Sequence, residues 1–159
     1  GLWLKGDGTG SLVAIPGQVS GVQVYGEQRG AAFSDYDRDG RVDLVISQNG
    51  AATKLYHNIG AKPGLRVRLV GPKGNPFAVG ATIRLSYKDG YGPAREIHSG
   101  SGYWSQDSMV QIMGYRENVK GIWVRWPGGQ VTNSDLPEEA HEVTINMNGD
   151  IVVFQWSHF

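Results

Sequence analysis

Asp35, Asp37, Asp39 and Asp43 lie within nine residues, at spacings i, i+2, i+4 and i+8. Four carboxylates gathered this closely repel one another unless a cation neutralises them. Calcium is a hard cation that takes six to eight oxygens at about 2.3–2.6 Å. Alternate residues of a curled loop point the same way, so Asp35, Asp37 and Asp39 converge, and Gly40 permits the sharp turn after the third of them. Arg41 cannot coordinate through its side chain and offers its backbone carbonyl. Asp43 closes the loop, directly or through water, and Val42 is expected to plug the core and anchor it. Asp35-Tyr36-Asp37-Arg38-Asp39-Gly40-Arg41-Val42-Asp43 is therefore read as a Ca2+-binding loop. Magnesium fits less well, because it keeps several waters and takes only one or two carboxylates.

The loop opens as an EF-hand does, with ligands at positions 1, 3, 5, 7 and 9 and glycine at 6. Ile46 stands where the closing bidentate Glu would be. The flanks, Ala31-Ala32-Phe33 and the β-branched Leu44-Val45-Ile46, are not helical in pattern. The expectation is an EF-hand-like loop between two strands, with calcium affinity in the weak extracellular range of roughly 10⁻⁴–10⁻³ M.

Other groupings do not assemble a catalyst. His141-Glu142 would need a second histidine at Ile145 to make the zinc-protease helix motif. Ser99-Gly100-Ser101-Gly102 lacks the frame of a nucleophile elbow and reads as a turn. His57, His98, His141 and His158 are scattered and read as structural or exposed imidazoles. Lys5-Gly6-Asp7 reads as a plain turn. In Ile122-Trp123-Val124-Arg125-Trp126 a period of two turns Ile122, Val124 and Trp126 inward and leaves Trp123 and Arg125 on the opposite face. An exposed Trp beside an Arg suits stacking on a sugar or a protein partner. Trp104, after a glycine-rich turn, is a further contact candidate; aromatic packing within the protein is the competing reading of all these rings.

The elements that must position these residues are strands. Apolar residues nowhere hold a helical period over ten or more positions, whereas alternation is common. Leu65-Arg66-Val67-Arg68-Leu69 alternates strictly, with Leu65, Val67 and Leu69 on one face. Ile83, Leu85 and Tyr87 repeat the pattern, and Asp89-Gly90 signals a hairpin to a strand over 95–98. Further strands are expected at 109–113, 121–126, 141–146 and 151–156, the last two joined by Asn148-Gly149-Asp150. In the first sixty residues short apolar runs at 2–4, 12–15, 22–25, 31–33, 44–46 and 54–56 recur about every ten residues, the rhythm of a propeller blade or a sandwich. Gly60-Ala61-Lys62-Pro63-Gly64 marks the break between units at 1–60 and 61–159.

The 24 glycines among 159 residues, about twice the usual share, fit a turn-rich all-β chain. Fifteen basic and fifteen acidic residues cancel, which argues against nucleic acid and against an electrostatic membrane anchor. No apolar run approaches the roughly 20 residues of a membrane-spanning helix. The absence of cysteine excludes disulfides and thiolate metal sites. The chain starts at Gly1 inside a strand pattern and is expected to be part of something longer.

Arg29-Gly30-Ala31-Ala32-Phe33-Ser34 followed by the aspartate loop and Leu44 resembles an FG-GAP (VCBS) repeat, a propeller blade whose calcium loop joins two strands. The resemblance implies ligand roles for Asp35, Asp37, Asp39, the Arg41 carbonyl and Asp43. Gly6-Asp7-Gly8-Thr9-Gly10 resembles a turn such repeats carry, without its following aromatic residue. A single blade cannot bury its own faces, so the resemblance also implies either upstream repeats of the same protein or a first segment that leans on the second domain. The second half is similar to the ASPIC/UnbV domain through Asn75-Pro76-Phe77-Ala78-Val79-Gly80-Ala81, the 98–108 stretch and Val124-Arg125-Trp126-Pro127-Gly128-Gly129. It departs from that family at Ile112-Met113-Gly114-Tyr115.

The expectation is an all-β chain: a partial β-propeller-type blade with an EF-hand-like calcium loop, then a small antiparallel β-sandwich or barrel. Its expected role is non-catalytic, in a secreted, periplasmic or cell-surface protein, with structural Ca2+ and a protein or glycan partner. Membrane insertion and nucleic-acid binding are not expected. The alternatives are a carbohydrate-binding module and an accessory domain of a larger enzyme.

Overall fold

Fourteen strands and one helical turn account for the regular structure of residues 2–154, which the computed structural model describes. β1 (Trp3–Gly6) and β2 (Leu12–Ile15) form an antiparallel hairpin. In its turn Asp7 Oδ1 accepts hydrogen bonds from the Thr9 hydroxyl at 2.7 Å and the Thr9 N–H at 2.8 Å. These bonds hold the Asp7 carboxyl below its ordinary value.

The expected strand at 22–25 does not form. A single helical turn, α1 (Gly17–Ser20), follows Pro16 and stops at Gly21 in the left-handed region, φ +77°. The chain then runs irregularly, yet Val24 is buried against Leu44 and Ile46. The apolar run therefore holds one buried residue, Val24, while Tyr25 at its end is 82% exposed.

β3 (Glu27–Ser34), β4 (Asp43–Asn49) and β5 (Ala51–Tyr56) make a three-stranded antiparallel sheet in that order. The aspartate loop joins β3 to β4, and the pair Ser34–Asp43 closes the ladder beneath it. The loop thus sits between strands, without flanking helices.

The remaining residues build two packed sheets. One has the order β10 (Gln111–Met113), β6 (Leu65–Val70), β13 (Glu142–Asn146), β14 (Ile151–Phe154). The other is β12 (Val131–Asp135), β11 (Gly121–Arg125), β7 (Thr82–Tyr87), β8 (Gly90–Tyr91), with β9 (Arg95–Glu96) also on β7. Leu65, Val67 and Leu69 of the first meet Ile83, Leu85, Ile122 and Val124 of the second in one core, with Val143, Ile145 and Trp126. The arrangement is a sandwich and not a closed barrel. It is also not wholly antiparallel: β13 runs parallel to β6, Glu142 opposite Arg66. A parallel pair needs a long crossover, and the whole second sheet supplies it.

β12 was not expected. Its sequence, Val131-Thr132-Asn133-Ser134-Asp135, carries little apolar alternation, and it is an edge strand specified by pairing with β11. The return after Asp89-Gly90 is split into β8 and β9 around Gly92-Pro93. β14 ends at Phe154; the expected extension to 156, and His158, lie outside the described residues.

Candidate metal centre and contact face

Hairpin geometry gathers the carboxylates. Asp43 begins β4, and Asp35 follows directly on β3, so both stand at the mouth of the ladder. Asp43 Oδ2 accepts from the Tyr36 N–H at 3.2 Å, and its Oδ1 from the Asn58 N–H at 2.8 Å. Turning Asp43 inward sends its neighbour Val42 outward. Val42 is 38% exposed, so it does not plug the core; Leu44 and Ile46 take that role. Gly40 makes the expected turn at φ +81°, and its carbonyl accepts the Gly64 N–H at 2.8 Å.

Asp35 has the most constrained side chain of the four. It is 1% exposed, and its Oδ2 accepts from the Gly40 N–H at 2.9 Å and from Arg66 Nη1. Its Oδ1 is buried with no hydrogen-bond partner. Asp35, Asp37 and Asp43 can each present an oxygen so that all three lie within 4.8 Å of one another. Oxygens on opposite sides of one calcium ion are about 4.6–5.2 Å apart, so the cluster fits a single ion of that size. The buried orphan oxygen and the all-carboxylate donor set both suit a hard cation.

Asp39 groups differently. Its Oδ1 accepts from the Arg41 N–H at 2.8 Å and its Oδ2 meets Arg41 Nη1 at 2.5 Å. Partial burial pushes the Asp39 carboxyl up, but the hydrogen bonds and charge of Arg41, with a contribution from His57, hold it below its ordinary value. Arg41 also donates from Nε to the Ala61 carbonyl at 2.7 Å. Asp37, Asp39 and His57 form a second group of potential ligands, with His57 Nε2 2.9 Å from Asp37 Oδ2. Sequence reading gave His57 no such place. It sits just past β5, and only the β4–β5 pairing carries it to the loop.

Behind the loop, Arg66 of β6 donates through Nη1 to Asp35 and through Nε to Glu142 Oε2 at 2.8 Å. All three side chains are 6% exposed or less. Burial lowers the guanidinium's proton affinity, but hydrogen bonds to Glu142 and Asp35 more than restore it, so Arg66 stays charged. The first unit is tied to the second again where the Ser108 N–H reaches the Phe33 carbonyl and the Phe33 N–H reaches Asp107 Oδ1, both at 2.8 Å.

The contact candidates fall in two places. Ile122, Val124 and Trp126 are buried as the alternation requires, and Trp126 Nε1 donates to Thr132 Oγ1 at 2.9 Å. Trp123 is half-buried on the other face, its ring 5.9 Å from that of Tyr91, and Arg125 beside it is exposed. Trp104 is 90% exposed in a separate loop. Gly30 lets that loop's backbone come close; a Cβ there would lie 3.0 Å from the Tyr103 carbonyl oxygen. The structure therefore does not join Trp104 to Trp123 and Arg125. His98 is exposed and 3.8 Å from Glu96, and His141 is exposed.

The second part of the chain is an all-β sandwich of two packed sheets. The profile of the ASPIC and UnbV family matches residues 71–151, just over half of the chain, and the chain belongs to that family. Among curated proteins it is similar to cartilage acidic protein 1 of Xenopus tropicalis, 29% identical over 77% of this chain, and of Mus musculus, 27% identical over 72%. Those matches cover 20% and 18% of the relatives, so the chain spans about a fifth of their length.

Proposed function

We propose that this chain is a non-catalytic, calcium-stabilised β module of an exported or cell-surface protein, serving adhesion or partner binding. Two observations at the mouth of the β3–β4 hairpin carry the reading together: Asp35 Oδ1 is buried without a hydrogen-bond partner, and Asp35, Asp37 and Asp43 can bring one carboxylate oxygen each within 4.8 Å of the others. Asp35, Asp37 and Asp43 would hold the ion, joined by Asp39 once its carboxylate turns from Arg41, and by the Arg41 carbonyl. The ion's contribution is charge neutralisation. It removes the repulsion among the aspartates and fixes the hairpin mouth against Arg66.

The three-stranded sheet with its loop between β3 and β4 supports the FG-GAP-type reading of residues 1–60. So do the exposed Leu4, Leu12 and Val13 of the β1–β2 hairpin, which suit apolar neighbours from further repeats. The relatives' name refers to cartilage, an extracellular tissue, which favours an exported setting.

Calorimetric titration of the chain with calcium tests the reading, together with melting in calcium and in chelator. Binding in the range of roughly 10⁻⁴–10⁻³ M with a rise in melting temperature is expected. No binding heat and no chelator effect would refute it.

A further inference from the structure

The outer face of the five-stranded sheet holds a cleft lined by two guanidiniums that form no ion pair among the described residues. β7 and β11 run antiparallel with Arg84 opposite Trp123 and Thr82 opposite Arg125. Since Ile83, Leu85, Ile122 and Val124 fill the core, these four side chains project from the other face. Tyr91 of β8 joins them, its ring tilted 56° to that of Trp123. Together Thr82, Arg84, Tyr91, Trp123 and Arg125 line a cleft of about 340 Å³.

Two guanidiniums line this cleft and no carboxylate does. Arg125 Nη2 donates to Thr82 Oγ1 at 3.1 Å. Arg84 makes no side-chain hydrogen bond or ion pair among the described residues. Arg84 and Arg125 are diagonal neighbours on paired strands, about 7–8 Å apart in such a ladder, and at that separation two like charges repel. An anion between them reverses that sign. Guanidinium forks match the planar carboxylate and the sulfate ester better than any neutral group. The two rings add an apolar wall of the kind a sugar covers with its C–H face. A neutral sugar would leave both cations unanswered; a plain acidic peptide would leave the rings uncovered.

We propose that this cleft binds an acidic saccharide, a uronate- or sulfate-bearing sugar whose ring lies against Trp123 and Tyr91 and whose anion lies between Arg84 and Arg125. The inference rests on the reading of this face as a contact surface and names the ligand class for it. The cleft shares Thr82, Arg84 and Arg125 with a neighbouring groove of about 780 Å³, where an oligosaccharide would have room to extend. That groove carries Arg95 and His98 but also Glu96 and Asp107, so selection for negative charge resides in the smaller cleft.

The test is titration of the full chain with four probes: a galacturonate tetrasaccharide, a heparin tetrasaccharide, neutral cellotetraose and hexaglutamate. At least one acidic saccharide is expected to bind roughly tenfold or more tighter than cellotetraose and hexaglutamate. The two acidic arms show whether carboxylate or sulfate is preferred. Arg84→Gln and Arg125→Gln should each weaken that binding about tenfold with melting unchanged, and Arg29→Gln on β3 should leave it intact. Trp123→Ala should abolish it; the two arginine variants carry the test if that protein folds poorly. Comparable binding of cellotetraose, tighter binding of hexaglutamate, no binding of either acidic saccharide, or indifference to both arginine variants would overturn the inference. Melting with and without calcium in the same samples separates the two readings. Calcium stabilisation without saccharide binding defeats only the cleft; saccharide binding without calcium stabilisation defeats only the metal.

Discussion

Arg66 donates to Asp35 across the boundary between the hairpin sheet and the sandwich, and it does so with both side chains out of water. Glu142, its direct partner on the parallel strand β13, accepts the hydrogen bond from Arg66 Nε–H. One guanidinium thus answers two carboxylates from different parts of the fold. Removing it leaves two buried charges uncompensated, a change that typically costs about 3–5 kcal/mol. Arg66→Met is expected to destabilise the chain by that order in urea unfolding. Arg66→Lys should recover only part of the loss, since an ammonium lacks the fixed fork. An Arg66→Met protein as stable as the parent would show that the triad contributes nothing net.

The same triad bears on the proposed metal site. With Arg66 on Oδ2, Asp35 has Oδ1 left over, so the proposed ion and the guanidinium would not compete for one atom. If calcium binds only the folded chain, a concentration of 100 times Kd adds about 2.7 kcal/mol. Asp37→Ala should abolish this gain with little effect in chelator, because the Asp37 side chain is 31% exposed. The check is melting of parent and variant with and without calcium. An Asp37→Ala protein that still gains stability from calcium would place the ion elsewhere.

How much of this was legible beforehand depends on what each signal measures. Alternation in β6, β7 and β11 located the core, because burial on one face writes a period of two into the sequence. It failed for Arg66, which the pattern turns toward water and the fold leaves 5% exposed. The cause is tertiary: the aspartate hairpin covers the outer face of β6, and no local pattern encodes a cover that arrives from thirty residues away. His57 is the same case, carried to the loop by a strand pairing. The aspartate spacing marked the connection between β3 and β4 directly, since side chains at alternate positions of one loop come together without help from a distant strand. Val42 went wrong because the register was counted from apolar residues, and here the buried residue is Asp43 itself. β12 left almost no trace, being polar and held by its partner.

Gly121 offers a check on the sheet that carries the cleft. A Cβ there would lie 2.4 Å from the Ser134 carbonyl oxygen, backbone of the paired strand β12. That contact can be relieved only by parting the ladder. Gly121→Ala is expected to lower stability by about 1–3 kcal/mol, read by urea unfolding, and to loosen β12 in hydrogen exchange. Unchanged protection of β12 would mean that the two strands are not paired in this register.

Trp123 and Trp126 lie three residues apart on and beside one strand and should behave in opposite ways. Trp126 is 1% exposed, sits in the sandwich core and spends its indole N–H on Thr132. Truncating such a residue typically costs about 3–5 kcal/mol, and the freed Thr132 hydroxyl adds to the loss. Trp123 is half-buried on the outer face, with Tyr91 as its ring neighbour. Losing one aromatic pair removes about 0.5–1.5 kcal/mol beyond the area involved, so Trp123→Ala should destabilise measurably but less than Trp126→Ala. Urea unfolding of the two variants under identical conditions gives the comparison, with Trp104→Ala as reference, since that ring is 90% exposed and should cost little. If Trp123→Ala proves as damaging as Trp126→Ala, its ring is a packing element of the sheet, and a contact role for that face loses its physical basis.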